Sequence, residues 1–280
     1  MYRAQVEVLP LAIVDDLLGI ANCGHDSLSL NTFINTQVEL KKQKFHQPDV
    51  NGKSKCNVMH VGSDLAICPK LEVHGTVMQQ ISHDTYLGDV ISADIKLDLN
   101  IQSRVAKGLG LVTEITNILE KVTLGGHYFK SAMFLRESKF FNGILTNTET
   151  WYGMSADHVR QLESVDKLLL RSILGTPIST HTEALFLELG ILSIGTILKA
   201  RRVNYLHYLA TRKQSDKLFK VFSPQWNNPG RDDWAVQVRV DLSDFKLDEL
   251  RRQSQAQFKQ LVKRSKAQEF EFSRLIKLKN

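Results

Sequence analysis

The distribution of apolar positions divides the chain into a segment of short strands and a longer segment of helices. From about residue 100 onward, apolar residues recur at steps of three and four, the spacing that lines one face of an α-helix. The first such stripe consists of Ile101, Val105, Leu109, Val112, Ile115, Leu119 and Val122. It predicts a long helix that begins near Asn100 and ends at Gly125-Gly126.

The same periodicity predicts further helices after the glycine pair. Ser155 is a residue type typical of N-caps, and Gly175 supplies a stop signal, so the apolar stripe between them predicts another helix. The segment 223–233, which contains Pro, Gly and Asn, is predicted as a loop. The remaining predicted helices cover residues 128–141, 183–189, 194–211, 234–242 and 247–276.

The first 92 residues show short apolar runs separated by turn residues. Runs at 6–13 and 17–20 flank Asp15-Asp16, which predicts a β-hairpin with two carboxylates at its tip. The other predicted elements are a helix that begins at Asp26 or Ser27, strands at 55–61 and 70–74, and a short strand or tight hairpin at 86–91. Strands followed by helices predict an α+β fold.

Charge is distributed unevenly along the 280 residues, although the net charge is only +6. Residues 199–280 contain 19 Lys or Arg against 9 Asp or Glu, whereas residues 1–198 contain 17 against 21. A basic C-terminal third suits contact with a polyanion such as a nucleic acid. Solvated helix faces would produce the same excess, because Lys and Arg are common on exposed helices.

Composition limits the compartment and the class of partner. An odd number of cysteines, three in all, argues against a disulfide scaffold and favours a reducing intracellular compartment, cytoplasmic or nuclear. No apolar stretch approaches the ~20 residues that span a bilayer, and no secretory signal is recognised at the start, so we expect no membrane partner.

The adjacent carboxylates Asp15 and Asp16 are the first candidate for chemistry. Two neighbouring carboxylates repel each other and remain ionised most easily beside a cation. Mg²⁺ or Mn²⁺ accepts such oxygen ligands and serves phosphoryl transfer by binding the reacting oxygens. The alternative is an ordinary hairpin turn, because Asp is common in turns.

Three motifs follow one another in a characteristic order. They are Val14-Asp15-Asp16-Leu17, Lys53-Ser54-Lys55-Cys56 and Tyr86-Leu87-Gly88-Asp89, with a predicted amphipathic helix and a turn between the first two. This order resembles the second half of a reverse-transcriptase palm. The resemblance is to the polymerases of non-LTR retrotransposons, particularly those that carry a restriction-like endonuclease.

The resemblance implies a role for each motif. Asp15 and Asp16 would be catalytic ligands of Mg²⁺ or Mn²⁺, and Lys55 would be the lysine that protonates the leaving pyrophosphate. The segment from Tyr86 through Leu87 to Gly88 would be the primer-grip turn, which positions the growing 3′ end. The implied partners are an RNA template and a DNA primer.

The resemblance continues downstream into a thumb and a linker. It implies a partial palm over 1–92, a helical thumb over 93–146 and a helical, basic linker over 147–280. The motifs that carry it are Trp151-Tyr152-Gly153, Leu162-Glu163 with Asp166, Leu169-Leu170-Arg171, Pro177-Ile178-Ser179-Thr180, Leu187-Glu188-Leu189-Gly190, Arg201-Arg202 and Tyr205-Leu206-His207-Tyr208.

Two features depart from the family pattern. Ile13 stands two residues before Asp15, where the family generally has an aromatic or another bulky residue. The family's first metal-binding aspartate lies well upstream of the hairpin, and only fourteen residues precede Asp15 here. We therefore expect these 280 residues to bind metal weakly and not to polymerise DNA alone, because catalysis by positioning fails when part of the frame is missing.

Residual binding would involve the basic C-terminal third. The candidate nucleic-acid-binding residues are Arg201, Arg202, Arg251, Arg252, Lys263 and Arg264. Nearby aromatic residues (Tyr205, Tyr208, Trp226 and Trp234) suit stacking on bases or, alternatively, anchoring of a helical core.

Two other functions stay open at the level of sequence. The chain would also suit a non-catalytic helical module that binds a protein, including a separately encoded polymerase half. A decayed reading frame without function is the second alternative.

Overall fold

Short strands come first along the chain and long helices follow, so the expected α+β composition is confirmed. The computed structural model describes residues 11–13, 16–18, 57–61, 71–73, 76–121, 128–181, 185–186, 189–230 and 233–245, with backbone alone at 11–13, 16–18, 73 and 76. The helices predicted to begin at Asp26 or Ser27 and over 247–276 lie outside these residues.

The hairpin predicted around Asp15 and Asp16 is present. Strands β1 (Leu11–Ile13) and β2 (Asp16–Leu18) pair antiparallel, with Ile13 opposite Asp16. Two residues therefore connect the strands, the commonest length for a tight hairpin. Asp16 begins β2 and pairs with Ile13 in the pair that closes the turn, so it lies at the tip of the hairpin, as predicted.

Within the described residues, three further two-stranded sheets follow. They are formed by β3 (Asn57–Val58) with β6 (Gln79–Gln80), β4 (Glu72–Val73) with β5 (Thr76–Val77), and β7 (His83–Tyr86) with β8 (Asp89–Ser92). The first pair is parallel and the second antiparallel. The tight hairpin predicted over 86–91 is formed by the third pair, and the predicted strands at 55–61 and 70–74 contain β3 and β4.

The chain forms two compact units. One comprises Met1–Tyr86 and Val90–Lys96, and the other comprises Leu87–Asp89 and Leu97–Asn280. The strands lie in the first unit, except that β8 begins at Asp89 in the second. The turn Leu87–Asp89 therefore belongs to the helical unit.

The helical unit contains seven described α-helices: α1 (Asp98–Lys121), α2 (Tyr128–Leu135), α3 (Phe141–Ile144), α4 (Ala156–Leu174), α5 (Ile194–Ala210), α6 (Lys217–Asn227) and α7 (Trp234–Asp244). A π-helical segment, Arg136–Phe140, joins α2 to α3, and a 3-10 turn, Thr148–Thr150, precedes α4. No described helix is both long enough and apolar enough to cross a membrane.

Helix α4 begins and ends where the sequence predicts. The Ser155 hydroxyl accepts a hydrogen bond from the His158 amide at 3.2 Å, and His158 Nδ1 accepts one from the Ser155 amide at 3.3 Å. Gly175 ends the helix in the left-handed conformation, with φ of 61°. These contacts satisfy backbone groups that a helix leaves unpaired at its ends.

Helices α1 and α4 pack in parallel over the first apolar core. His158 Nε2 contacts Asp98 Oδ1 at 3.2 Å near one end, and the Thr116 and Ser172 hydroxyls lie 2.8 Å apart near the other. Gly108 permits this approach, because a Cβ there would lie 2.9 Å from Val165 Cγ1. The core runs in sequence from Ile101 to Leu198, so it continues across the thumb-to-linker boundary predicted after residue 146.

A buried ion pair crosses this core. Arg136 donates from Nε and Nη2 to the two carboxylate oxygens of Asp166 at 2.7 and 2.6 Å. The guanidinium carbon of Arg136 also lies 4.3 Å from the ring centroid of Phe141. Burial raises the pKa of Asp166, while the Arg136 guanidinium acts to lower it.

A second apolar cluster joins α5, α6 and α7. Helix α6 extends through residues 223–227, so the prediction of a loop over 223–233 is wrong for its first half. Pro224 cannot donate a helical hydrogen bond. Packing nevertheless maintains the helix, because Phe219, Phe222 and Trp226 lie along one face of α6 against the cluster.

Candidate nucleic-acid interface

The predicted catalytic residues are placed only in part. Asp16 begins β2, whereas Asp15, Lys55 and the Asp16 side chain lie outside the described residues. Adjacent carboxylates are hard oxygen donors, so the donor chemistry at positions 15 and 16 fits Mg²⁺ or Mn²⁺. Among the described side chains, no three His, Cys, Asp or Glu residues gather as a metal-binding group.

The turn between β7 and β8 has a strained conformation. Leu87 and Gly88 both have positive φ, 50° and 85°, the pattern of a type I′ turn. Such turns favour Asn or Gly at the first central position, and a bulky side chain in the left-handed region costs roughly 1–2 kcal/mol. The Leu87 side chain is also 44% exposed, so burial does not explain its presence.

The residue after the turn is held by donors from two parts of the helical unit. Asp89 Oδ1 accepts hydrogen bonds from Asn100 at 3.1 Å and from Arg104 Nη2 at 2.6 Å. Asp89 Oδ2 accepts one from Asn147 at 2.8 Å. The Asn147 amide also lies 3.5 Å from the carbonyl oxygen of Leu87, at the limit of hydrogen bonding.

Arg104 is a buried cation on the apolar side of α1. Its side chain is 3% exposed, and Asp89 is the one carboxylate paired with it among the described residues. Its other hydrogen bonds go to the carbonyl oxygens of Gly143 and Thr146, at 3.1 and 3.2 Å. The Trp151 ring lies beside the guanidinium, with its centroid 5.8 Å away.

The other two residues of the predicted primer-grip segment, Tyr86 and Gly88, differ in how closely other atoms surround them. Tyr86 ends β7 and is half-buried, and its hydroxyl has no hydrogen-bond partner among the described residues. A Cβ added at Gly88 would meet no atom of the described residues within 4 Å. The space beside Gly88 is therefore open, as it must be for another molecule to approach this backbone.

Arg202 does not have the exposed position expected of a phosphate ligand. Its Nε and Nη2 atoms donate to Asp241 at 2.6 and 3.1 Å, and its side chain is 5% exposed. The prediction that Arg202 binds nucleic acid is wrong for this structure, because the guanidinium is enclosed between α5 and α7. Arg202 lies on the buried side of α5, where the second apolar cluster forms.

The Arg201 guanidinium already makes contacts within the protein. It donates to the carbonyl oxygen of Leu145 and lies 4.0 Å from a Glu149 carboxylate oxygen. Partial burial lowers the pKa of Arg201, while Glu149 acts to raise it. Its side chain is still 31% exposed, so contact with a ligand is possible on one side. The other predicted cations (Arg251, Arg252, Lys263 and Arg264) lie outside the described residues.

Exposed lysines replace Arg202 as candidate phosphate contacts. Lys213 precedes α6, and Lys217 and Lys220 lie on it. All three are exposed, and none forms an ion pair within the described part of the chain. Many other described cations are paired with carboxylates. These three lysines therefore offer positive charge that the protein itself does not neutralise.

The aromatic residues near these cations serve mainly as anchors of the second cluster. Tyr205 lies against Tyr208 and Trp234, with ring centroids 6.0 and 5.8 Å away. Burial and the nearby Glu149 raise the pKa of Tyr205. The Arg212 guanidinium lies 4.1 Å from the Tyr208 ring centroid, so that ring face is already covered.

Sequence patterns did not indicate the residues that hold the Leu87–Gly88 turn. Arg104 stands three residues after Ile101 and is buried with the apolar stripe, a position where charge is unusual unless it is paired. The presence of Arg104 within the apolar stripe indicates a buried ion pair, but it does not identify Asp89 or Asn147 as partners. Comparisons with protein-family models, curated proteins and solved structures give no match.

Proposed function

We propose that the chain is the C-terminal part of an RNA-directed DNA polymerase of a non-LTR retrotransposon. In this proposal, the described helical unit and its attached turn bind a duplex of RNA template and DNA primer. Asp15 and Asp16 would hold Mg²⁺ or Mn²⁺, which neutralises developing charge in phosphoryl transfer when it is bound. These 280 residues alone would bind the duplex without extending the primer.

The observation that carries the proposal is the conformation of Leu87. An apolar side chain stands exposed on a left-handed backbone at the tip of a hairpin, where Asn or Gly would be favoured. Strained residues of this kind persist when the surrounding structure determines them, and they cluster at functional sites. The proposed use of Leu87 and Gly88 is to contact the sugar and backbone at the primer end.

The order of elements supports the same proposal. A tight hairpin begins at Leu11 and contains Asp16, and a second tight hairpin contains Leu87 and Gly88. Helices α1 to α4 follow directly. This is the order expected for the end of a polymerase palm followed by a thumb.

Replacing Leu87 by asparagine separates folding from binding. Leu87→Asn should increase the free energy of unfolding by about 0.5–1 kcal/mol, because asparagine tolerates the left-handed region. The same change should weaken binding of a fluorescent RNA–DNA primer–template about fivefold to tenfold, because the asparagine side chain no longer buries apolar surface against the duplex. Urea denaturation and fluorescence anisotropy measure the two effects.

A suitable control is Leu109→Gln, since Leu109 is 46% exposed on α1 with ordinary helical geometry. Leu109→Gln should leave duplex affinity unchanged. A more stable Leu87→Asn variant with undiminished affinity would show that the turn does not contact the duplex.

The cations of the predicted C-terminal helix provide a second test. Simultaneous replacement of Arg251, Arg252, Lys263 and Arg264 by glutamine should flatten the salt dependence of duplex binding, by about 0.9 in slope for each phosphate that is no longer neutralised. Binding is measured between about 50 and 300 mM salt, because counterion release dominates the salt dependence of affinity in this range. An unchanged slope would place these residues away from the phosphates.

A second candidate function is the binding of a protein partner by α6. Leu218 and Val221 are 44% and 62% exposed on that helix, more than a helix face packed in the interior would allow. This function would be favoured if the chain bound a protein with an affinity independent of salt concentration and did not bind a primer–template.

A further inference from the structure

We propose that Asp89 is a positioning residue, which fixes the Leu87–Gly88 turn to α1 and to the segment around Asn147. The proposal rests on the proposed function in one respect, namely that the fixed turn is the part presented to the primer end. The inference adds Asp89 to the predicted primer-grip segment of Tyr86, Leu87 and Gly88. It also explains what holds the turn in its strained conformation, namely the carboxylate of Asp89.

The turn needs such support because its own sequence does not stabilise it. A two-residue turn with positive φ at both positions is self-sustaining when it contains Asn-Gly or Asp-Gly. Here the pair is Leu87-Gly88, and the leucine opposes the conformation. The three hydrogen bonds accepted by Asp89 therefore supply local order that the turn residues themselves lack.

The arrangement uses both oxygens of the carboxylate. Oδ1 accepts from Asn100 and Arg104 on α1, and Oδ2 accepts from Asn147. Asn147 itself has a left-handed backbone, with φ of 62°, which an asparagine adopts readily. An uncharged amide at position 89 has one acceptor oxygen, so it cannot satisfy both sets of donors.

The charge matters as much as the shape. Arg104 is buried, and its other hydrogen-bond acceptors are carbonyl oxygens, which carry no formal charge. Removing the carboxylate leaves the buried guanidinium without a counter-charge. The expected consequence is local release of the Leu87–Gly88 turn, because the backbone there has no other described side-chain support than the long contact from Asn147.

The first variant for testing is Asp89→Asn, with Asp94→Asn as the control. Asp94 stands five residues later, its side chain is 56% exposed, and its carboxylate accepts hydrogen bonds from the Ser92 hydroxyl and the Lys96 amide nearby. A third variant combines Asp89→Asn with Asn147→Asp. In it, the new amide can accept from α1 and donate to the new carboxylate at position 147. The three hydrogen bonds at position 89 and the net charge are therefore retained, and only the long contact from Asn147 to Leu87 is lost.

Amide hydrogen exchange on the full chain tests positioning without any ligand. Asp89→Asn should accelerate exchange at residues 88–90 at least about tenfold, with no comparable change in α4. The combined variant should restore most of the protection, and Asp94→Asn should behave as the unmodified protein. Unchanged exchange in Asp89→Asn, or a combined variant no better than the single one, would overturn the positioning role.

A second measurement separates this inference from the proposed function. A primer with 2-aminopurine at its 3′ end reports the environment of that end, and anisotropy of the same duplex reports affinity. Asp89→Asn should remove the 2-aminopurine response while affinity falls no more than about tenfold, the loss expected when Leu87 no longer contacts the duplex, since cations elsewhere supply most of the affinity. An intact response would overturn the inference. Absence of duplex binding by the unmodified protein would overturn the proposed function, and exchange would still decide whether Asp89 fixes the turn.

Discussion

Replacing Asp166 by alanine is expected to destabilise the protein by about 3–5 kcal/mol, because the change leaves the Arg136 guanidinium buried without a counter-charge. The Arg136 and Asp166 side chains are 2% and 0% exposed, so water cannot replace the missing carboxylate. Both oxygens of Asp166 accept hydrogen bonds from Arg136, and the substitution removes both bonds together. Urea denaturation followed by circular dichroism measures the change.

The matched control removes both charges at once. Arg136→Met combined with Asp166→Leu should be less destabilising than Asp166→Ala, because a buried ion pair replaced by apolar groups of similar volume is often neutral or better. A loss of stability below about 1 kcal/mol in Asp166→Ala would be typical of an exposed ion pair and would contradict the burial of this one.

The second large effect concerns Arg202. Arg202→Met should destabilise the protein by about 3–5 kcal/mol, because the Asp241 carboxylate, with 0% exposure, would remain buried and unpaired. Adding Asp241→Leu to this variant should recover most of the stability. Denaturation in urea gives both values.

Nucleic-acid binding distinguishes the structural role of Arg202 from the one predicted by sequence. The combined Arg202→Met and Asp241→Leu variant should bind a primer–template with the same salt dependence as the unmodified protein. A slope reduced by about 0.9, the change expected for one phosphate, would show that Arg202 reaches the nucleic-acid backbone.

The helices were predictable because their signals are local. Helix α4 follows from the spacing of its apolar residues and from Ser155 and Gly175 at its ends. Helix α6 was not predicted to its full length, because Pro224 is a local signal against a helix and the packing of Phe222 on α5 and α7 is a distant one. The parallel pairing of β3 with β6 is likewise nonlocal and leaves no periodic trace.

The sequence predicts the turn of the candidate site, but it does not predict the residues that hold this turn in place. Gly88 after an apolar residue indicates a tight hairpin, and the structure forms one. The partners of Asp89 lie 11 to 58 residues away in sequence, so no spacing rule connects them. The prediction for Arg202 was wrong for a related reason: a basic residue in a helix is usually exposed, and only the position of Asp241 shows that this one is buried.

The central claim, that the helical unit binds a primer–template duplex through the lysines that precede and lie on α6, is tested most directly by two equal changes of charge. One variant replaces Lys213, Lys217 and Lys220 by glutamine. The other replaces three exposed lysines of α1 and α2, namely Lys107, Lys121 and Lys130.

The measurement is the slope of the logarithm of the binding constant against the logarithm of salt concentration, for an RNA–DNA duplex with a recessed primer. We expect the first variant to reduce the magnitude of the slope by about 2–3 and the second to leave it unchanged. Equal slopes for the two variants, or no salt-dependent binding by the unmodified protein, would contradict the claim.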